Sequence, residues 1–340
     1  MTIKEKVKEL WRICFDDSEE FIDLYFRLRY TNKDNITIQS GDEIISALQM
    51  FPYAMTYCGS QINTSYISGA CTHPDYRGKG VMRELLSQAF TQMTRKGIAL
   101  STLIPAEPWL FDYYKKMGYA PVFTNTHISI SSEDILPASC NITIQSGVEF
   151  DKMSFEYLHR KLSERSCAIL HDEEDYKVIL ADIQLSGGCV YSALTEEVVT
   201  GIAFVEPQAG NSLRVTELIA DDEEIKNSLL RKASNDFNAK RLTIIAPSGK
   251  DDAERPLGMA RIIYARAILQ LYAAANPKDE MNIELTDKQL SMNNGYYYLV
   301  NGKCMTTKKR LPGSHLQLNI SELTEKLFSG YQPYMSLMLN

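Results

Sequence analysis

The sequence predicts an α+β fold in which a mixed, splayed sheet flanked by helices is laid out twice and followed by a smaller α+β unit. Three observations predict it. Residues 66–93 read as a strand, a basic glycine loop and an amphipathic helix; residues 187–233 repeat that order in faded form; the pattern changes again after Arg255-Pro256. The first unit is assigned to residues 1–138, the second to 139–252 and the third to 253–340.

The first unit opens on a charged helical N-terminus. Cys14 to Phe26 then mixes carboxylates with aromatics. Asp16, Asp17, Glu19 and Glu20 suit a helix start and its solvated face; turned toward a cleft they would favour a cation. Residues 43–53 and 61–70 read as two strands joined by a turn at Cys58-Gly59-Ser60. The second strand continues through Ala70, Cys71 and Thr72 into His73-Pro-Asp-Tyr-Arg77-Gly-Lys-Gly80. Met82, Leu85, Leu86, Ala89, Phe90 and Met93 follow at helical spacing, and Gly97 stops that helix. Residues 98–104 form a buried strand, residues 108–118 a short helix ended by Gly118, and residues 119–123 a further strand.

The loop carries the chemistry. Arg77, Lys79 and Arg83 add positive charge where the helix dipole is already positive, which costs about 0.3–1 kcal/mol per charge unless an anion sits there. Gly78 and Gly80 carry no side chain, so the backbone N–H groups of residues 78–82, Val81 and Met82 included, can close on a pyrophosphate. Neither the P-loop pattern nor the three-glycine dinucleotide fingerprint is present.

In the second unit the corresponding junction is Asp221-Asp-Glu-Glu224, without glycine and with four carboxylates where a phosphate would lie. Such a junction starts a helix and repels phosphate. In the third unit, residues 259–272 read as an amphipathic helix, 281–286 and 295–302 as strands with a turn at Asn294-Gly295, and Ser321 as the cap of a closing helix with Leu323 and Leu327 on one side.

Composition narrows the function classes. With 340 residues and 44% hydrophobic residues the chain can build two or three ordinary cores. The net charge of −7 disfavours a nucleic-acid partner. Seven cysteines without paired metal-ligand spacing predict reduced thiols, and five scattered histidines predict no metal. No stretch of about 18 apolar residues and no signal sequence is seen, which predicts a soluble, cytoplasmic protein without a membrane partner.

Arg77-Gly-Lys-Gly80 after a strand ending in His73-Pro74 resembles the pyrophosphate loop of the GNAT superfamily of N-acetyltransferases, although it supplies only part of the pattern Arg/Gln-x-x-Gly-x-Gly/Ala. Together with Tyr114-Lys-Lys-Met-Gly-Tyr119 and the three-part layout, nearly the whole chain resembles the enhanced-intracellular-survival type of that superfamily: a GNAT domain, a degenerate second one and a sterol-carrier-like domain. The resemblance implies acetyl-CoA as co-substrate, a small-molecule or lysine amine as acceptor, and assembly into homo-oligomers. It implies cofactor contacts at Ala70, Cys71, Thr72, Arg77, Gly78, Lys79, Gly80, Val81, Met82 and Arg83, and a pantetheine arm inserted between the last two strands, 98–104 and 119–123. Tyr114 matches the acid that serves the leaving sulfur, and the C-terminal carboxylate, on Asn340, matches the base.

Met335, Leu337, Met338 and Leu339 make the tail apolar and predict that it is buried. Phe51 and Tyr53, at a strand end beside Pro52, are candidate walls of the acceptor cleft. Other readings stay open on the residues alone: Tyr114, Phe51 and Tyr53 as core aromatics, the tail as a last strand capping its own domain, the third unit as structural. At the level of the whole chain the alternative is a catalytically silent acyl-CoA-responsive or lipid-binding protein.

Overall fold

Helix α1 (Ile3–Cys14) starts on a capping box formed by Thr2 and Glu5, and α2 (Glu19–Leu28) is capped by Ser18. Asp17 accepts from the Trp11 indole and Glu19 pairs with Arg12, so these carboxylates brace the helix start. Strands β1 (Asn35–Ser40), β2 (Glu43–Tyr57) and β3 (Ser60–Thr72) form an antiparallel meander. Cys58 and Gly59, at φ 50° and 70°, make the two-residue turn between the last two. Helix α3 (Val81–Arg95) buries Leu85, Leu86, Ala89, Phe90 and Met93, which stabilises its docking by roughly 1.5–3 kcal/mol for each large side chain. Strand β4 (Leu100–Leu103), α4 (Pro108–Lys116) and β5 (Ala120–Ser131) complete this run.

The order then repeats, as the sequence predicts. Strand β6 (Thr143–Gly147), α5 (Lys152–Ser163), β7 (Ile169–Leu170) and α6 (Glu173–Leu185) lead into the meander β8 (Cys189–Thr195), β9 (Val198–Gln208) and β10 (Ser212–Ala220), then α7 (Glu223–Asp236) and β11 (Arg241–Pro247). The computed structural model describes residues 1–137, 141–248 and 254–339, so the unit boundaries at 138/139 and 252/253 lie outside the described residues.

Past Arg255 the structure corrects two expectations. Residues 259–262, expected in a helix, belong to strand β12 (Arg255–Ile262), and the helix α8 spans only Ala265–Ala275. Met259, Ala260, Arg261, Ile262 and Ile263 are all fully buried, so the segment has no solvated face to present as an amphipathic helix. Strand β12 also lies between β4 and β5, antiparallel to both, with Ala260 opposite Thr102 on one side and Ala120 on the other. The gap expected there for a pantetheine arm is therefore filled by protein. Among the described residues the result is one 12-stranded sheet in the order β1-β2-β3-β4-β12-β5-β11-β10-β9-β8-β6, with β7 beside β2.

The third unit is a four-stranded sheet, β15-β14-β13-β16, built from β13 (Met281–Thr286), β14 (Gly295–Val300), β15 (Lys303–Thr307) and β16 (Leu316–Asn319). Helix α9 (Ile320–Phe328) closes it. Its cap is Asn319, in a capping box with Glu322; Ser321, expected in that role, lies inside the helix and donates to the Tyr119 carbonyl. Ile283, Leu285, Tyr297 and Leu299 fill the inner face against Ile268, Leu323 and Leu327, in the same apolar cluster as Tyr66 and Phe123.

One ion pair bolts this sheet to strand β12, and through β12 to the first unit. Arg261 meets Asp287 at 2.7 Å with both side chains at 0% exposure, and its other nitrogens donate to the Met117 and Ile262 carbonyls. Asp287 also accepts from the Gln289 and Leu290 amides and from Asn293. Removing one partner of such a pair leaves a buried charge uncompensated. Asp287→Ala is expected to lower unfolding stability by roughly 3–5 kcal/mol in chemical denaturation, and a loss below about 1 kcal/mol would mean that the pair does not hold the units together.

Candidate active site

Strand β3 builds the site by leaving its neighbour. It pairs in parallel with β4 only over Thr64–Tyr66 against Leu100–Thr102, then runs on to Thr72. The bend is a bulge: Ala47 faces Cys71 and Gln49 faces Ser68, so Leu48 stands opposite both Gly69 and Ala70. Gly69 sits at φ +57°, and a Cβ there would come within 2.2 Å of the Trp11 ring. Sequence reasoning passed over Gly69, because a single glycine inside a strand pattern signals a bulge only once its partner strand is known. The sheet thus opens between β3 and β4, one position away from where the sequence put the opening.

Beyond Thr72 the chain reaches the helix start. Gly78 and Gly80 lie at φ +74° and +82°, and Gly80 is the N-cap of α3 with no side chain accepting from the helix. Open space surrounds an added Cβ at Gly78, and only the Arg83 guanidinium approaches one at Gly80. Arg77 is partly spent on the loop itself, since its Nε donates to the Thr72 carbonyl at 3.0 Å; Lys79 lies over the Tyr76 ring. Bare N–H groups, two glycines in the left-handed region and the nearby cations Arg77, Lys79 and Arg83 suit this start to an anion. A diphosphate fits these groups. The second unit differs at each point, because Asp222 caps α7 by accepting from the Ile225 amide and Asp221 is paired with Lys161 at 2.7 Å.

Around the opening, Ala70 is half-buried while Cys71 and Thr72 are buried, with Ser46 bridging the Cys71 carbonyl and the Thr72 hydroxyl. The Cys14 thiol donates to the Thr72 carbonyl at 3.5 Å, and its neighbours Cys71 and the Arg77 guanidinium push its pKa down. Val81 is half-buried, and Met82 packs against the core that holds α3.

Tyr114 on α4 is 7% exposed, lies edge-on to Tyr113 and Tyr119, and is within electrostatic reach of Cys71. Among the described residues its hydroxyl has no hydrogen-bond partner. Burial first, and then its neighbours Tyr113 and Cys71, push its pKa well above the ordinary tyrosine value that the sequence suggested, so the phenol stays protonated. Tyr119 differs, being paired with Ser101 at 2.7 Å.

Phe51 and Tyr53 are both buried beneath Arg29, whose guanidinium lies 4.4 Å and 5.2 Å from their ring centres. The Tyr53 hydroxyl accepts from Arg29 at 2.6 Å, and Arg29 reaches Asp175 of α6. They form an aromatic floor with Tyr25 and Tyr66.

Of the four tail residues expected to be buried, Met335 and Leu339 are, at 3% and 6% exposed, while Leu337 and Met338 are half-buried. Asn340 lies outside the described residues. Residues 334–339 line a cavity of about 260 Å³ together with Ile104, just past β4, and the carboxylates Asp182 and Glu206. Arg214 lines the cavity with them and acts on Glu206, and burial, with Glu206 alongside, lifts Asp182 to about 6. These two acids lie in the second unit, where no motif marked them.

Residues 3–122 match the family model described as an acetyltransferase (GNAT) domain. No curated protein matches the chain. Solved structures similar to it include a GCN5-related N-acetyltransferase from Anabaena variabilis, with 18% identity over 96% of this chain and 87% of that one at a TM-score of 0.75. Another is the GCN5-related N-acetyltransferase from Kribbella flavida, with 18% identity over 94% and 84% at a TM-score of 0.72. A third is Eis1 from Mycobacterium abscessus, with 14% identity over 96% and 86% at a TM-score of 0.73. Among the described residues no helix is long and apolar enough to cross a membrane. Residues 3–122 thus carry a GNAT acetyltransferase domain, and the chain as a whole shares its fold with these N-acetyltransferases.

Proposed function

We propose that the protein transfers the acetyl group of acetyl-CoA directly to an amine, a small molecule or a lysine, in the first unit, and that the second unit binds no cofactor. The observation that carries this reading is the open edge of β3, running from the bulge at Gly69 to the uncapped start of α3, together with a Tyr114 hydroxyl that has no hydrogen-bond partner among the described residues. Acetyl-CoA supplies its acetyl group as a thioester. The N–H groups of residues 78–83, with Lys79 and Arg83, hold the diphosphate, and the strand edge at Ala70 to Thr72 offers amide groups to the arm as an added strand would.

As the amine nitrogen bonds to the carbonyl carbon and the C–S bond breaks, negative charge grows on sulfur. Tyr114 donates a hydrogen bond to it; its raised pKa makes it a donor rather than a full acid. The amine proton goes to the carboxylate of Asn340, directly or through one water. Support for a tail in that role comes from the burial of Leu339 and from the cavity it shares with Ile104. Asp182 and Glu206 outnumber Arg214 on the same cavity, a balance that favours a cationic acceptor such as an ammonium. Phe51 and Tyr53 back the acceptor side in this reading.

Three variants test it. Gly80→Glu puts bulk and negative charge where the diphosphate meets the backbone, so acetyl-CoA binding by calorimetry is expected to vanish while the circular dichroism stays native. Tyr114→Phe is expected to keep cofactor affinity and to lower turnover with an amine panel by about 10- to 1000-fold, with Tyr113→Phe nearly silent. Equal losses at the two tyrosines would identify packing instead. Removing Leu339 and Asn340 draws the carboxylate back by about 7 Å at roughly 3.3–3.6 Å per residue, so amine acetylation is expected to fall and to recover partly at higher pH. Full activity in that variant at neutral pH would remove the tail from the mechanism.

A further inference from the structure

The second unit contains the same parting of strands as the first, and it is not empty. Strand β10 pairs in parallel with β11 over Ser212–Val215 against Arg241–Ile244, then runs on beside β9 with its other edge free, as β3 runs on beside β2 beyond β4. It also carries a bulge at that point, since Val215 faces Val205 and Glu217 faces Phe204, with Thr216 as the extra residue. Directly after that bulge comes Glu217, 1% exposed.

The Glu217 carboxylate faces the tail. It accepts from the Tyr334 hydroxyl at 2.8 and 2.7 Å and from the Ser336 hydroxyl at 2.5 Å, with the Leu218 amide on its remaining side at 3.0 Å. Further contacts fix the same stretch of tail. The Tyr334 amide donates to the Cys167 carbonyl, its carbonyl accepts from the Ile169 amide, and the Arg165 guanidinium lies 4.0 Å from its ring centre. His171 donates from Nε2 to the Ser336 carbonyl at 3.0 Å. Past Ser336 the tail crosses the mouth of the parted strands, where Thr216, Ile245 and Ala246 line the cavity with it, and reaches toward Ile104 of the first unit.

We infer that Glu217 is a positioning residue for the acetyl transfer: the degenerate unit has turned its cofactor opening into a receptor for the chain's own tail, and Glu217 is the clamp that sets how far residues 337–339 reach into the acceptor side of the first unit. The inference rests on the proposed role of the tail in acceptor binding and proton removal. It gives the second unit a task that a lost phosphate site alone does not.

The test uses the full chain and three variants, Glu217→Gln, Tyr334→Phe and the double, with release of the last residues by a carboxypeptidase followed by mass spectrometry. Loss of a hydrogen bond to a charged group shifts the opening of the tail by about 10- to 100-fold, and trimming is expected to speed up by that factor in each single variant. The double is expected to trim no faster than the faster single, because both break one contact. Acetyl-CoA affinity is expected to stay unchanged, and kcat for 1,4-diaminobutane to fall in step with tail release. Tyr334→Phe keeps the ring and its stacking on Arg165, so it carries the test if Glu217→Gln does not fold. Unchanged trimming in folded variants would overturn the clamp. Faster trimming with unchanged kcat would overturn its link to the reaction, and deleting residues 337–340 then separates the causes. If that deletion is also silent, the role of the tail has failed; if it is not, Glu217 has.

Discussion

Strand β3 can pair with β4 for only three residues, because at Gly69 its backbone turns into the left-handed region and a second residue is squeezed in opposite Leu48. Every feature of the site depends on that departure. The freed edge of β3 leaves backbone amides facing an opening, and carries the chain to a helix start with nothing of its own to cap it. The Trp11 ring fills the space where any other residue at 69 would place its Cβ, so α1 enforces the bend from behind. A helix remote from the chemistry is the template for the strand that does it.

The opening has to be held while the rest of the sheet stays closed, and the chain does this with segments far away in sequence. Strand β12 fills the gap between β4 and β5, and Arg261 on that strand is locked to Asp287 in the third unit, both of them out of reach of solvent. The third unit is thereby fastened next to Met117 and Tyr119, at the end of the helix that carries Tyr114. The tail returns from that unit to lie across the second and end beside the first. Three units that look separable in sequence are tied by contacts that all converge on one opening.

The strand–loop–helix at 60–95 and its faded copy are legible in the sequence because local signals suffice there: helical periodicity, glycine at positions of positive φ, and charge at a helix start. The contrast between Gly80 and Asp222 as caps is equally readable, since each acts on its own first turn. What is not readable is what depends on a distant partner. Residues 259–272 carry apolar residues dense enough for either periodicity, and only the exposed edges of β4 and β5 select a strand for the first part. The place of the opening is hidden for the same reason, because it depends on where β12 goes. Tyr114 stands out by its position before Gly118, yet its missing hydrogen-bond partner and its raised pKa come from burial that only the folded chain supplies. Asp182, Glu206 and Glu217 give no signal at all, since three acids scattered over α6, β9 and β10 meet one tail only in three dimensions.

The central claim is that two copies of one strand–helix arrangement have divided the labour, one keeping the cofactor and the other holding the protein's own tail. Calorimetric titration of the full chain with acetyl-CoA tests it most directly. The account predicts a single site per chain. Two equivalent sites would contradict it, because the second could only lie at the parted strands that the tail is said to occupy.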